Sequence, residues 1–107
     1  IVVVKNYGRR ENYSREKMLR GIHQSLIKRP VTQDRLERLV HAIERDIQKK
    51  KSGEVTSRDI GEIVMRHLAK FDQVAYIRFA SIYRAFTDAS RFASEARSLT
   101  KKKIDDD

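Results

Sequence analysis

The most regular run of apolar positions in the chain is Leu36, Leu39, Val40, Ile43 and Ile47, which recur at i, i+3, i+4, i+7 and i+11. That spacing puts one apolar stripe on a helix, with Thr32 placed to cap it. Shorter stretches of the same period lie on either side. Met18, Leu19, Ile22 and Leu26 predict an earlier helix, capped by Ser14 and stopped by Pro30. Ile60, Ile63, Val64 and Leu68 predict a later one, capped by Thr56 or Ser57, with Asp59 in its first turn. Before all of these, "IVVVK" at 1–5 reads as a short buried strand, "NYGR" at 6–9 as a tight turn and "RENY" at 10–13 as the returning strand. The expected fold class is therefore mainly α with a small N-terminal β-hairpin, an α+β arrangement of one hairpin and four helices.

The fourth helix begins near Asp72 and runs past Phe92. Val74, Ala75, Tyr76, Ile77, Phe79, Ala80, Ile82, Tyr83, Ala85 and Phe86 leave it almost no polar face. One small core cannot surround such a helix, so the stretch 74–86 is expected to carry a homo-oligomer interface. Residues 1–92 form one expected domain. Residues 93–107 form an expected flexible tail, ending in "KKKIDDD". The basic run "KKKSGE" at 49–54 reads as a helix end and a charged loop turning at Gly53.

Charge adds a direction. Twenty-four Lys and Arg against 15 Asp and Glu give a net charge of +9 over 107 residues, which favours a phosphate-bearing partner without choosing one. The absence of cysteine removes disulfides and thiolate metal sites. No apolar run is long enough to cross a bilayer and no secretory signal is present, so no membrane partner and a cytoplasmic location are expected. The chain begins at Ile1 inside an apparent strand, which leads us to expect more protein upstream.

Candidate chemistry is confined to one place. There is no P-loop and no dinucleotide fingerprint. His23, His41 and His67 lie on three different predicted helices, each without a ligand partner at i+3 or i+4, and no catalytic constellation is found, so the chain is not expected to be an enzyme. Around the hairpin, Lys5 ends a strand, Glu11 sits across the turn, and Lys17 lies one turn into the following helix. Two lysines near a helix start can neutralise a polyphosphate, and extended backbone at Val2–Val4 can meet an adenine edge. A plain Lys5–Glu11 ion pair across the hairpin explains the same residues, and both readings stay open on physical grounds.

The stretch "VVKNYGRRENYSREK" resembles the opening of the ATP-cone, a regulatory nucleotide-binding domain with the pattern V-x-K-R-x-G-x-x-E-x-F/Y-x-x-x-K. Val3, Lys5, Gly8, Glu11, Tyr13 and Lys17 match, and Asn6 departs from the usual Arg or Lys. "VTSRDIGEIVM" and "DQVAYIRFASIYRAF" are similar to the cone's third and fourth helices, so the resemblance spans roughly residues 2–88. "KRPV" at 28–31 and "VAYIRFASIYRAF" at 74–86 look like the NrdR family, bacterial repressors of ribonucleotide reductase genes in which a DNA-binding zinc ribbon precedes the cone. The alternative is the cone of a ribonucleotide reductase subunit. A weaker third reading is a small basic domain that binds DNA through charge alone.

The resemblance implies ATP and dATP as ligands, with Mg in attendance. Adenine would lie near Val3, phosphates on Lys5 and Lys17, a further contact at Asn6, and the ribose, base or Mg²⁺ at Glu11. Thr56, Ser57 and Gly61 would face the site from the third helix, and Tyr83 and Arg84 from the fourth. Gly61 also has a plain explanation as a helix–helix contact, since glycine inside a helix costs about 1 kcal/mol relative to alanine. Zn would belong to the absent ribbon, and operator DNA would be bound through that ribbon and not by this piece.

Overall fold

In the structure, a computed structural model, residues 1–5, 10–50 and 53–105 are described, with side chains except at 86 and 100–105. The elements follow in the order β1 (Val2–Val4), β2 (Arg10–Asn12), α1 (Arg15–Ser25), α2 (Gln33–Gln48), β3 (Glu54–Thr56), α3 (Ser57–Phe71) and α4 (Gln73–Asp105). The predicted hairpin strands and all four helices are present, so the fold is mainly helical α+β. The predicted turn at 6–9, with Asn6 and Gly8, lies outside the described residues.

The helices begin where local chemistry satisfies their free N–H groups. The Ser14, Thr32 and Thr56 hydroxyls accept from the backbone N–H of Lys17, Arg35 and Asp59 at 3.3, 3.2 and 2.9 Å. Of the two candidate caps for α3, Thr56 is the one used. Asp59 returns the bond by accepting from Thr56 N–H at 3.1 Å, closing a capping box. That bond holds the Asp59 carboxyl below its ordinary range. Lys28, at φ 61°, turns the chain out of α1, and Gly53, at φ 70°, turns it into β3.

The sheet differs from the expectation of a hairpin alone. Its order is β2-β1-β3. β1 pairs antiparallel with β2, setting Val3 opposite Glu11, and parallel with β3, setting Val3 opposite Val55. Part of the stretch assigned to a charged loop is thus a strand. Three residues are too few to show a period, and their partner lies some 50 positions away, so only the tertiary pairing makes them a strand.

Behind the sheet, Ile22 of α1, Ile43 and Ile47 of α2, Val55 of β3, and Val64 and Leu68 of α3 are at most 1% exposed. Ion pairs and backbone contacts fasten the helix ends. Arg29 Nε donates to both Asp72 oxygens, at 3.1 and 3.0 Å, while Asp72 also accepts from Ala75 N–H at the start of α4. Arg78 donates to the carbonyls of Ile27 and Ser25 at the end of α1. Helix α4 is divided lengthwise. Ala75 is buried and Phe79 and Tyr83 are half-buried against α1 and α3, whereas Ile77 and Ile82 are 62% and 56% exposed. The helical backbone continues through 93–105. No helix among the described residues is long and apolar enough to cross a membrane.

Candidate functional site

A cavity of about 600 Å³ opens between the sheet, the first turns of α1 and α3, and one side of α4. Alternation along the strands creates its floor. Val3 of β1 and Lys5, just past the end of that strand and two residues on, both line the cavity, and Glu11 stands opposite Val3 on β2. From α1 come Ser14, Lys17 and Met18, from α3 Ser57, Arg58, Ile60 and Gly61, and from α4 Phe79 and Tyr83. Val3, Met18, Ile60 and Phe79 give it apolar walls.

Its charges are concentrated at one point. Lys5 Nζ and Lys17 Nζ each lie 3.3 Å from the same oxygen, Glu11 Oε1. These bonds, with Lys5 first and Lys17 second, hold the Glu11 carboxyl below its ordinary range. The two readings of the Lys5–Glu11 pair therefore converge. The ion pair exists, and it gathers two ammonium groups at the amino end of α1. The first turn of α3 approaches from the other side, so two helix amino termini meet the cavity, an arrangement that favours an anion. The Ser57 hydroxyl is enclosed and has no hydrogen-bond partner among the described residues, although it lines the cavity. An enclosed hydroxyl without a partner is costly, and a ligand oxygen would satisfy it.

The pattern in the sequence placed most of these groups. Val3, Lys5, Glu11, Lys17, Ser57, Gly61 and Tyr83 all line this cavity. Thr56 is exposed and spends its hydroxyl on the cap of α3, and Arg84 is exposed on α4; neither lines the cavity. Asn6 lies outside the described residues. Gly61 contributes to the wall through its lack of a side chain, because a Cβ there would fall within 2.6 Å of Tyr83 Cδ2. The helix–helix explanation of this glycine and its place at the site are one fact.

Other lining groups were not singled out as ligands. Tyr13, noted only as a motif match, lines the cavity and donates to Glu44 Oε2 at 3.2 Å. Burial, followed by the Glu44 charge, pushes its phenol well above the ordinary value. Thr87, Ser90, Arg91 and Ser94 extend the lining along α4. Their signal was available, since 83, 87, 90, 91 and 94 share one helical face, but nothing local marks that face as the one turned toward the site.

A nucleotide fits this donor set. The volume is that of an ordinary small-molecule site, two ammonium groups and two helix starts suit phosphates, and the apolar walls suit a base. No group of three His, Cys, Asp or Glu side chains able to hold a metal occurs among the described residues. Among the described lining residues Glu11 is the one carboxylate, a donor that would suit Mg²⁺ held through one carboxylate plus phosphate oxygens.

Comparison with known proteins agrees with this geometry. Residues 1–89 match the ATP cone domain family. The chain is 49% identical over 105 residues to the transcriptional repressor NrdR of Lysinibacillus sphaericus, covering 98% of this chain and 67% of that protein. It is 46% identical over 102 residues to the NrdR of Pelotomaculum thermopropionicum, covering 95% and 61%. With the NrdR of a Geobacillus species it shares 47% identity over 102 residues, covering 95% and 67%. The chain thus spans 61% to 67% of the length of these relatives. By the match over residues 1–89 and the identity along almost all of its length, the chain belongs to the ATP cone domain family and, with the NrdR repressors, to one family of proteins.

Proposed function

We propose that this chain is the nucleotide-sensing and oligomerisation region of a transcriptional repressor of ribonucleotide reductase genes, with residues 1–92 as its cone. The observation that carries the reading is the cavity in which Lys5 and Lys17 share Glu11 beside the starts of α1 and α3. ATP or dATP would lie there, with phosphates on the two lysines and the Ser57 hydroxyl, and with the base against Val3 and Ile60. Glu11, released from one lysine as phosphate replaces it, is then placed to receive the ribose or an attendant Mg²⁺. Asn6 lies next to Lys5 in the chain and would supply a neighbouring contact.

ATP and dATP differ at the 2′-OH alone. They switch the protein only if that group has different interaction energies in two assemblies. Those assemblies would present operator-binding zinc ribbons in different spacings, so Zn and sequence-specific DNA contacts belong to the part of the relatives' length that this chain does not span. The region is a binding and regulatory module, not an enzyme. The reductase-subunit alternative has less behind it, because the relatives that match nearly the whole chain are named as repressors.

Calorimetry with ATP and dATP tests the reading. Losing one charge-assisted contact costs about 2 kcal/mol, so Lys5→Ala and Lys17→Ala should each weaken binding about 30-fold. Unchanged affinity in both variants, with unchanged circular dichroism, would remove the site.

A further inference from the structure

Glu44 lies outside the cavity and is tied to it twice. On α2 it follows Ile43, at the edge of the apolar stripe, and it is half-buried there. A half-buried carboxylate needs partners for both of its oxygens. Glu44 finds them across the fold, where β2 runs into α1. Its Oε2 accepts from the Tyr13 phenol at 3.2 Å, and its Oε1 accepts from Arg15 Nε at 2.9 Å.

Tyr13 and Arg15 stand on either side of Ser14, which joins β2 to α1 and caps the helix. The backbone at Ser14 is extended, at φ -115° and ψ 107°. In extended chain the residues before and after a position project to one side, so a single carboxylate can take both. Tyr13 N–H meanwhile donates to the Ile1 carbonyl at 3.0 Å, which continues the pairing of β2 with the start of the chain. The joint is thus held to the sheet by its backbone and to α2 by its side chains.

The two bonds to Glu44 are unequal. Arg15 is exposed, and an ion pair in water holds little by itself. The Tyr13 phenol is half-buried, and a hydrogen bond to a charged acceptor is about twice as strong as one between neutral groups. Burial and the Glu44 charge keep that phenol protonated, so it stays a donor at neutral pH. On the other side α2 gives firm support, because Ile43 and Ile47 near Glu44 are at most 1% exposed.

Lys17 is the group this arrangement serves. It lies in the first turn of α1, its N–H donates to Ser14 Oγ, and its ammonium reaches Glu11 at the charged end of the cavity. Glu44 itself does not line the cavity. We propose that Glu44 is a positioning residue of the nucleotide site: through Tyr13 and Arg15 it fixes the joint before α1 and so sets where Lys17 presents its charge. Its effect on binding rests on the nucleotide reading, whereas the placement of Lys17 against Glu11 needs no ligand.

Glu44→Ala tests this in three backgrounds, the parent chain, Lys17→Ala and Lys5→Ala, with circular dichroism to check folding. ATP calorimetry should show a loss of affinity of about 10-fold in the parent and in Lys5→Ala, the size expected when the support of a binding group is removed. In Lys17→Ala the loss should be under about 2-fold, because the group being positioned is already gone. A general loss of stability would act alike in all three. NMR titration of the Glu11 carboxyl reads the same link without ligand. Its midpoint, held low by Lys5 and then Lys17, should rise in Glu44→Ala toward that of Lys17→Ala, and should not move when Glu44→Ala is added to Lys17→Ala. The isosteric Glu44→Gln keeps one acceptor for Tyr13 and should give smaller changes of the same sign; it carries the comparison should the alanine variant fail to fold. Unchanged ATP affinity in a parent that binds ATP, an unmoved Glu11 midpoint, or equal losses in all three backgrounds would each overturn the proposal. Absence of ATP binding in the parent would instead remove the nucleotide reading, and the Glu11 midpoint would still decide whether Glu44 places Lys17.

Discussion

Gly61 on α3 seats the ring of Tyr83 from α4 so closely that a Cβ would come within 2.6 Å of Tyr83 Cδ2. The phenol OH then donates to the Arg58 carbonyl one helical turn earlier, at 3.4 Å. The absence of one methyl group thereby sets how near the two helices lie and where a wall of the cavity stands. Overpacking costs about 1–3 kcal/mol, and replacing a helical glycine returns about 1 kcal/mol. Gly61→Ala should therefore lower stability by up to about 2 kcal/mol and disturb ATP binding. In a Tyr83→Ala background the same change should be neutral or stabilising. Thermal unfolding of the two single variants and the double variant measures this coupling, and additive effects would show that the contact does not constrain the helices.

The shared carboxylate makes the lysine pair sensitive to acid. Glu11 has its carboxyl depressed below the ordinary 4.5 by Lys5 and then Lys17. A depressed carboxyl adds stability above its unfolded value and loses it as pH falls through the folded value. The pairing should thus be intact at neutral pH and fail only below about pH 4.5. An NMR titration of the Glu11 carboxyl should show this low midpoint. On saturation with ATP the midpoint should rise, as phosphate takes the lysines away. A midpoint indifferent to ATP would mean that the lysines do not meet phosphate.

A second acid-sensitive contact joins α2 to α3. Asp46 Oδ2 lies 2.6 Å from His67 Nε2 and 3.4 Å from Arg66 Nη2. The hydrogen bond with His67 is the largest cause holding Asp46 below its ordinary value, with smaller help from Lys49 and Arg66. The contribution is present at neutral pH and lost as pH falls below about 3.8. Asp46→Asn should cost about 1 kcal/mol at pH 7, a fall of about 4–8 °C in melting temperature, and the difference should shrink in acid. Calorimetric scans at pH 7 and pH 3 check both statements.

Asp72 ends α3 and starts α4 while holding Arg29. Its carboxyl is kept low chiefly by the Ala75 N–H, with Arg29 adding to it. Asp72→Ala removes the helix cap and the ion pair together and should cost about 2 kcal/mol. Arg29→Ala removes the ion pair alone and should cost about half as much. Urea unfolding separates the two, and equal losses would show that the cap contributes nothing.

Much of this protein was determined locally. The caps Ser14, Thr32 and Thr56 act on N–H groups three residues ahead, so side chain and partner are neighbours in the chain and the helix starts are visible without a structure. The stripe from Leu36 to Ile47 directed α2 into the core because a 3.6 period has one apolar face and water selects its orientation. The site's charged end was legible for a similar reason. Lys5, Glu11 and Lys17 fall within 13 residues, and a hairpin followed by a helix can bring them to one point.

Tertiary structure decided what depends on distant partners. β3 exists because Val55 pairs beside Val3 across the whole of α1 and α2, and three residues carry no pattern that could announce it. The inward lining by Thr87, Ser90 and Ser94 was not legible either. α4 has apolar residues on several faces, and packing of Ala75 and Phe79 against α3 and α1 fixed its rotation. That rotation turned the hydroxyl face to the cavity and left Ile77 and Ile82 outside. Periodicity along a helix defines its faces, but only the neighbours that pack against it choose which face is buried.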